Sequence, residues 1–252
     1  MSVCFGEIQE KVSRAFWDEE DEFDDDSHGN YCPERSCKIV WMTDKNILQR
    51  NFDVLLIVDG AFMKGVFEQG VVAKADPIAR ILDVKSAKKC DVMGQIFFQN
   101  DKALVCLCEE SLDVTNTYAF TREVFPLMAR CREVVALTSR SAASYLHHRG
   151  KELPMSFLRR LQTDAYRGDP VCERLEQPNI VSGVPAQVLS WCQAHNLPAV
   201  LFVCYSESDE IDSMTTKPVA QLLSKMKCAN LRLDVANLHS VYSAKGSSLL
   251  YM

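Results

Sequence analysis

Several residues in this chain could do chemistry if their neighbours allowed it. Cys106 and Cys108 would project from one face of a strand, and with a second such pair could hold zinc. No second pair stands at suitable spacing, so both are read as buried core. Cys32 and Cys37 lie beside an acidic arm and make no metal pattern. His147 and His148 are adjacent rather than four apart, so their imidazoles diverge, and they are read as loop residues. Asp59-Gly60 follows an apolar run, where an α/β enzyme could place a carboxylate. It has no evident partner in the sequence, and a turn residue explains it as well. In GVFEQG, Gly65 to Gly70, the glycines are not closely spaced and no strand-turn-helix context is evident. Gly-x-Gly-x-x-Gly, Walker and Gly-x-Ser-x-Gly patterns are also missing. The sequence therefore assigns no catalytic residue, no cofactor and no metal ligand.

The elements that would position such residues must come from an ordinary globular composition. The chain has 252 residues, enough for a sizeable core. It shows neither a charge-poor run long enough to span a membrane nor a basic-then-apolar leader pattern. The reading is therefore no membrane insertion and a cytosolic or nuclear location. The eleven cysteines are odd in number, and Cys106, Cys108 and Cys204 sit inside apolar runs, as small hydrophobes in a reducing compartment do. Net charge is −6, yet the segment from Asp18 to Asp26 holds eight acidic residues, leaving +2 for the remainder. That near-neutral remainder argues against nucleic-acid binding by bulk charge. The acidic block repels itself and is expected to be a disordered arm.

Beyond the arm, short apolar runs alternate with helical patterns. Val54–Val58, Ala103–Cys108, Val134–Leu137 and Ala199–Tyr205 are continuous and rich in Val and Leu, as strands covered on both faces are. Asp91–Asp101 reads as a hairpin partner of the second run. Helices are expected over Thr117–Arg130, with a kink or stop near Phe125 before Pro126, and over Val184–Asn196. Two more are expected over Thr216–Lys227, with Thr216 as cap and Pro218 in the first turn, and over Asn230–Leu238. The fold class is α/β: a single domain with a central sheet covered by helices, a disordered acidic N-terminal arm and a flexible C-terminal tail. The expected divisions are 1–36, 37–238 and 239–252.

The stretch LEQPNIVSGVPAQVLSWCQAHNLPAVLFVCY, Leu175 to Tyr205, resembles the proteasome assembly chaperone 1 family. Leu175 to Val181, Pro185 with Ala186, Ser190 to Gln193, Leu197 to Ala199, and Cys204 with Tyr205 carry the likeness without a gap. Phe157-Leu158-Arg159 before Leu161, and the opening Phe5-Gly6-Glu7, add to it. The C-terminal half is clearly similar, while residues 30–150 are similar mainly in strand order and composition.

The resemblance implies a non-enzymatic chaperone of 20S proteasome assembly. It implies a heterodimer with a similarly folded sister, proteasome assembly chaperone 2, on the outer face of the ring of alpha-type subunits. There the pair promotes ring formation, discourages rings from pairing face to face, and keeps regulators away until assembly is complete. Family members end in a hydrophobic residue, a tyrosine and any residue, and Leu250-Tyr251-Met252 fits that pattern. The expected contact is a terminal carboxylate paired with a lysine at the bottom of an inter-subunit cleft, beside a half-wet tyrosine. Gly246-Ser247-Ser248 would serve as its leash. Phe5, Gly6, Glu7 and Ile8 are a candidate N-terminal anchor. The competing reading is an α/β enzyme of phosphorylase- or hydrolase-like type, because fold alone does not settle function.

Overall fold

A mixed sheet of eight strands runs through the described residues. These are 36–43, 50–86, 89–100, 102–109, 112, 114–146, 153–226, 231 and 233–234 of the computed structural model, all within the compact unit 35–252. In chain order the elements are β1 (Ser36–Trp41), β2 (Phe52–Asp59), α1 (Ala61–Gly70), β3 (Ala79–Ser86), β4 (Lys89–Gln99), β5 (Ala103–Cys108) and α2 (Val114–Met128). Then come β6 (Cys131–Ser141), β7 (Ser156–Gln162), α3 (Val184–Ala194), β8 (Ala199–Ser206) and α4 (Ser213–Lys225). Across the sheet the order is β1-β3-β4-β5-β2-β6-β8-β7. The central strands β5, β2, β6 and β8 are parallel. β1, β3 and β4 extend the sheet antiparallel on one side, and β7 closes the other side antiparallel to β8.

The four apolar runs are these central strands, and the alternation of their side chains explains why they lack polar residues. On β2, Val54, Leu56 and Val58 enter one core layer with Phe62, Met63, Val66 and Phe67 of α1 and Leu222 and Leu223 of α4. Leu55 and Ile57 enter the opposite layer with Phe120, Val124 and Leu127 of α2 and Val188 and Cys192 of α3. Burying one such side chain stabilises by about 1.5–3 kcal/mol. α1 forms because Phe62, Met63, Val66 and Phe67 recur on one face at helical spacing.

The two sheet edges are protected differently. At β1 the outward Ile39 N–H donates to Oε1 of Glu123 on α2, at 3.1 Å. At β7 the segment 172–175 runs alongside: Arg160 N–H donates to the Glu173 carbonyl, at 3.0 Å, and Leu175 N–H to the Arg160 carbonyl, at 2.8 Å.

The structure corrects several boundaries. α2 continues through Pro126 to Met128 rather than stopping at Phe125; the ring sits in the last turn and faces solvent. α4 starts at Ser213 because Asp212, not Thr216, is the cap. Its carboxylate accepts from the Met214 and Thr215 N–H groups in a capping box. Pro218 therefore falls in the second turn. α3 ends at Ala194, with Asn196 at φ 54 behind it. The expected hairpin is β4 on β5. The expected helix at Asn230–Leu238 lies mostly outside the described residues; Leu231, Leu233 and Asp234, which are described, are not helical. GVFEQG does follow a strand and turn, but Gly65 and Gly70 lie inside α1 rather than before it, so they form no phosphate loop.

Candidate interaction surface

At the C-terminal end of the parallel strands, Asp59 closes β2 between two helix starts. Gly60, at φ 90, precedes α1, and Gly183, at φ 84, precedes α3. Both need the freedom only glycine has at positive φ, and a Cβ on Gly60 would lie 3.1 Å from Ser139 Oγ. The Asp59 carboxylate is hydrogen-bonded by the Gly60 N–H and the Thr138 hydroxyl, with Arg140 nearby. Burial dominates and pushes its pKa above the ordinary carboxylate value; Arg140 and the hydrogen bonds pull it back. Asp59 thus has partners that the sequence did not reveal. It also lies close to the α3 start: a Cβ on Gly183 would lie 3.9 Å from Asp59 Oδ2. Helix N-termini favour negative charge, and here the protein's own carboxylate supplies it. This arrangement fixes turns.

Toward the β7 edge, two side-chain clamps tie loop segments together. Arg159 on β7 is buried, its guanidinium 5.2 Å from the Tyr145 ring and 4.8 Å from the Phe157 ring. Its Nε donates to the Tyr145 hydroxyl at 2.9 Å, and its Nη2 is 3.2 Å from the Glu173 carboxylate. Tyr145, Phe157 and Tyr205 pack mutually at 4.8–5.3 Å between ring centres. Burial, first of all, raises the Tyr205 pKa. A buried charge needs such partners, and these tie the 145 and 173 segments to the sheet. The second clamp is Asn179. Its Oδ1 accepts from Leu146 N–H at 2.8 Å, and its Nδ2 donates to the Leu146 carbonyl at 2.7 Å and the Glu176 carbonyl at 2.8 Å. This side chain copies the exchange of bonds between paired strand residues.

The clamps hold two apolar side chains in solvent: Ile180 is 87% exposed and Leu146 55%. Met155 and Met214 are exposed at the same end of the sheet. The Met155 carbonyl accepts from Glu207 N–H, and Ser156 Oγ donates to the Thr215 carbonyl, joining β7 to the start of α4. Exposed Glu207, Asp209 and Glu210 line one side, and Arg140, donating to Ser182 Oγ at 3.1 Å, lies on the other. Several large apolar residues at one end of a domain mark a protein contact more than scattered ones do.

The opposite end of the sheet carries an open groove of about 920 Å³, where Lys102, Arg132, Arg167 and Lys225 mix with Asp53, Glu133 and Asp169. The chain's last described residue, Asp234, is fixed at this end, its N–H donating to the Gly70 carbonyl at 2.8 Å. On the α2–α3 surface, Tyr118, Phe125, Trp191 and His195 form a ladder with ring centres 4.5–5.9 Å apart.

Of the cysteines whose surroundings the structure describes, Cys37, Cys106, Cys108, Cys192 and Cys204 are buried in the core, and Cys131 and Cys172 are partly buried. Cys106 and Cys108 are fully buried in β5, and the neighbouring Cys106 side chain, with burial, raises the Cys108 thiol. Burial pushes Cys37, Cys131 and Cys192 up to about 12, and Cys172 and Cys204 to about 11, which keeps them as unreactive thiols. No group of three or more His, Cys, Asp and Glu among the described residues could hold a metal. The residues expected to meet the alpha ring, Leu250, Tyr251 and Met252, and the anchor residues Phe5, Gly6, Glu7 and Ile8 all lie outside the described residues, as do Cys32, His147 and His148. Sequence reasoning did not find Arg159, Asn179 and Ile180 as a unit. The only signal was that the first lies in one family-like segment and the other two in another.

A family model described as proteasome assembly chaperone 4 matches residues 79–246. The α/β domain and this match place the chain in the proteasome assembly chaperone family, to which it belongs. Its curated relatives are named more narrowly. Proteasome assembly chaperone 1 of Xenopus laevis is 35% identical over 137 residues, 54% of this chain and 48% of that protein. The Homo sapiens protein of that name is 33% identical over 127 residues, 50% of this chain and 44% of that one. The chain thus spans about half the length of the curated relatives it matches. Among solved structures, Pyrococcus furiosus PbaA, an archaeal homolog of proteasome-assembly chaperone, superposes with a TM-score of 0.59 at 13% identity, covering 85% of this chain and 90% of that one. P. furiosus PbaB, an archaeal proteasome activator, gives 0.57 at 12% identity, covering 85% and 97%. These structures share the fold.

Proposed function

We propose that this chain is a non-enzymatic chaperone of 20S proteasome assembly. It pairs with proteasome assembly chaperone 2, binds the outer face of the alpha ring, promotes the ring's formation and prevents off-pathway ring pairing. The family match over residues 79–246 carries the reading. The ending Leu250-Tyr251-Met252 supports direct contact with alpha-type subunits. A charge-assisted bond from the carboxylate sets the depth, and the tyrosine ring fills the cleft. Phe5 to Ile8, ahead of the acidic segment, act as a tethered second anchor, and the pair works in the cytosol or nucleus. The enzyme reading has less behind it, because the carboxylate at the end of β2 is already engaged by Thr138, Gly60 and Arg140.

Co-purification with tagged alpha-type subunits tests the proposal. The unmodified chain is expected to be captured together with the sister chaperone. Deleting Leu250 to Met252, or adding a residue after Met252, is expected to lower capture severalfold while leaving the melting temperature unchanged. Undiminished capture by both variants overturns the tail contact, and no capture of the unmodified chain overturns the function.

A further inference from the structure

We infer that His195 is a pH-sensitive latch between α2 and α3. On taking up a proton, its ring holds the C-terminal end of α3 against α2 more tightly than the neutral ring does. The inference is independent of the proposed function and concerns how the helix inside the family-like stretch is packed.

The latch is built by spacing. His195 follows Trp191 by one helical turn, so the two rings meet on one face of α3. They stack at 5.6 Å between centres, with planes 10° apart. From α2, Phe125 meets the imidazole at 4.5 Å and the indole at 5.9 Å. His195 Nδ1 lies 2.9 Å from the Trp191 carbonyl oxygen, which also accepts from the His195 backbone N–H at 3.1 Å. A carbonyl only accepts, so Nδ1 carries a proton, and Nε2 is the nitrogen left to take up a second one. The residue is exposed, so solvent protons reach it. Imidazole is the side chain that changes charge between mildly acid and neutral solution.

The added charge arrives where it is favoured. It lies against two aromatic rings, which attract cations. It also sits just past the last residue of α3, where the helix's carbonyls leave partial negative charge. The charged and titratable groups about it pull in both directions. Asp164, on the loop after β7 and held by Gln193 Nε2 at 2.8 Å, adds attraction. Arg122 of α2, 5.9 Å from the centre of the Tyr118 ring, opposes it, as do Arg130 and Arg132, exposed where α2 turns into β6. Burial keeps the thiols of Cys131 and Cys192 neutral. Exposed arginines are screened by salt, whereas the rings and the carbonyl touch the imidazole, so the attraction prevails.

The test uses the full chain with His195→Gln, neutral at every pH, His195→Arg, charged at every pH, and Trp191→Phe. A protonated imidazole quenches an indole that it touches. Indole emission of the parent chain is therefore expected to fall from about pH 8 to about pH 5, and His195→Gln and Trp191→Phe should lose that fall. The melting temperature of the parent chain should exceed that of His195→Gln by about 1–4 °C more at the lower pH than at the higher. His195→Arg should keep its margin over His195→Gln at both. Referring each value to His195→Gln cancels the titration of the other groups. A parent margin that is the same at both pH values overturns the latch, whether or not emission falls. So does a margin that widens while emission stays unquenched, because the charge would then act away from the rings.

Discussion

Phe202 and Leu82 face the same side of one sheet, yet their surroundings differ. Phe202 on β8 is 2% exposed beneath α4. Leu82 on β3 is only half buried, and its neighbours Val40 and Val84 on that face are 40% and 41% exposed. The parallel half of the sheet is sealed by α1 and α4 on one face and α2 and α3 on the other. The antiparallel half packs against α2 on one face, and no helix among the described residues covers its other face. Parallel strands are joined by crossover helices and so become covered twice. β1, β3 and β4 pair as neighbours and bring no such cover with them.

Stability measurements can break or sharpen this contrast. The largest effect is expected from Phe202→Ala, about 3–5 kcal/mol in denaturant midpoint, because the sealed layer cannot refill. Leu82→Ala should cost about 1 kcal/mol; a cost near that of Phe202→Ala would mean that the open face is covered in solution. Next is Gly94→Ala at the seam between the halves. Its Cβ would sit 3.0 Å from the Leu107 carbonyl oxygen and 3.3 Å from the Phe120 ring, so about 1–3 kcal/mol should be lost as β4 and β5 shift. Unchanged stability would show that the seam gives way easily. Asp212→Ala, removing the cap of α4, should cost about 1 kcal/mol by thermal melting.

The smallest expected effect is a slope. Asp59 has a raised folded-state pKa, so the folded chain holds its proton over a window in which the unfolded chain has lost it. Stability therefore falls as pH rises from the ordinary carboxylate value through the folded one. Asp59→Asn should lack that fall and gain on the parent chain as pH rises. Parallel curves would mean that Arg140 and the hydrogen bonds outweigh burial.

The same contrast explains what was legible in the sequence. Strands covered twice have no polar face, so Val54–Val58 and Ala199–Tyr205 stand out as unbroken apolar runs. β1, β3 and β7 do not. Ser36–Trp41 alternates Lys38 and Val40 with Cys37 and Ile39, and β7 places Arg159 and Arg160 side by side. Charged residues in those strands are satisfied by tertiary partners, such as Glu173 for Arg159, which no local pattern reveals. α1 was missed because Gly65 and Gly70 resemble loop residues, although Phe62, Met63, Val66 and Phe67 mark its buried face. At the surface, Ile180 acquires meaning only through Asn179, and the clamp joins residues 33 positions apart.

The carboxylate of Glu123 has a consequence for the protein at high concentration. A terminal strand with free amides is a template, and an identical strand from another molecule can add to it, then another to that. Here one rung of β1 is taken by an oxygen from the same molecule. An incoming strand would have to displace it and leave a negative charge facing its own carbonyls. An incoming strand is therefore opposed at that rung, and crowded chains should add to one another less readily along β1.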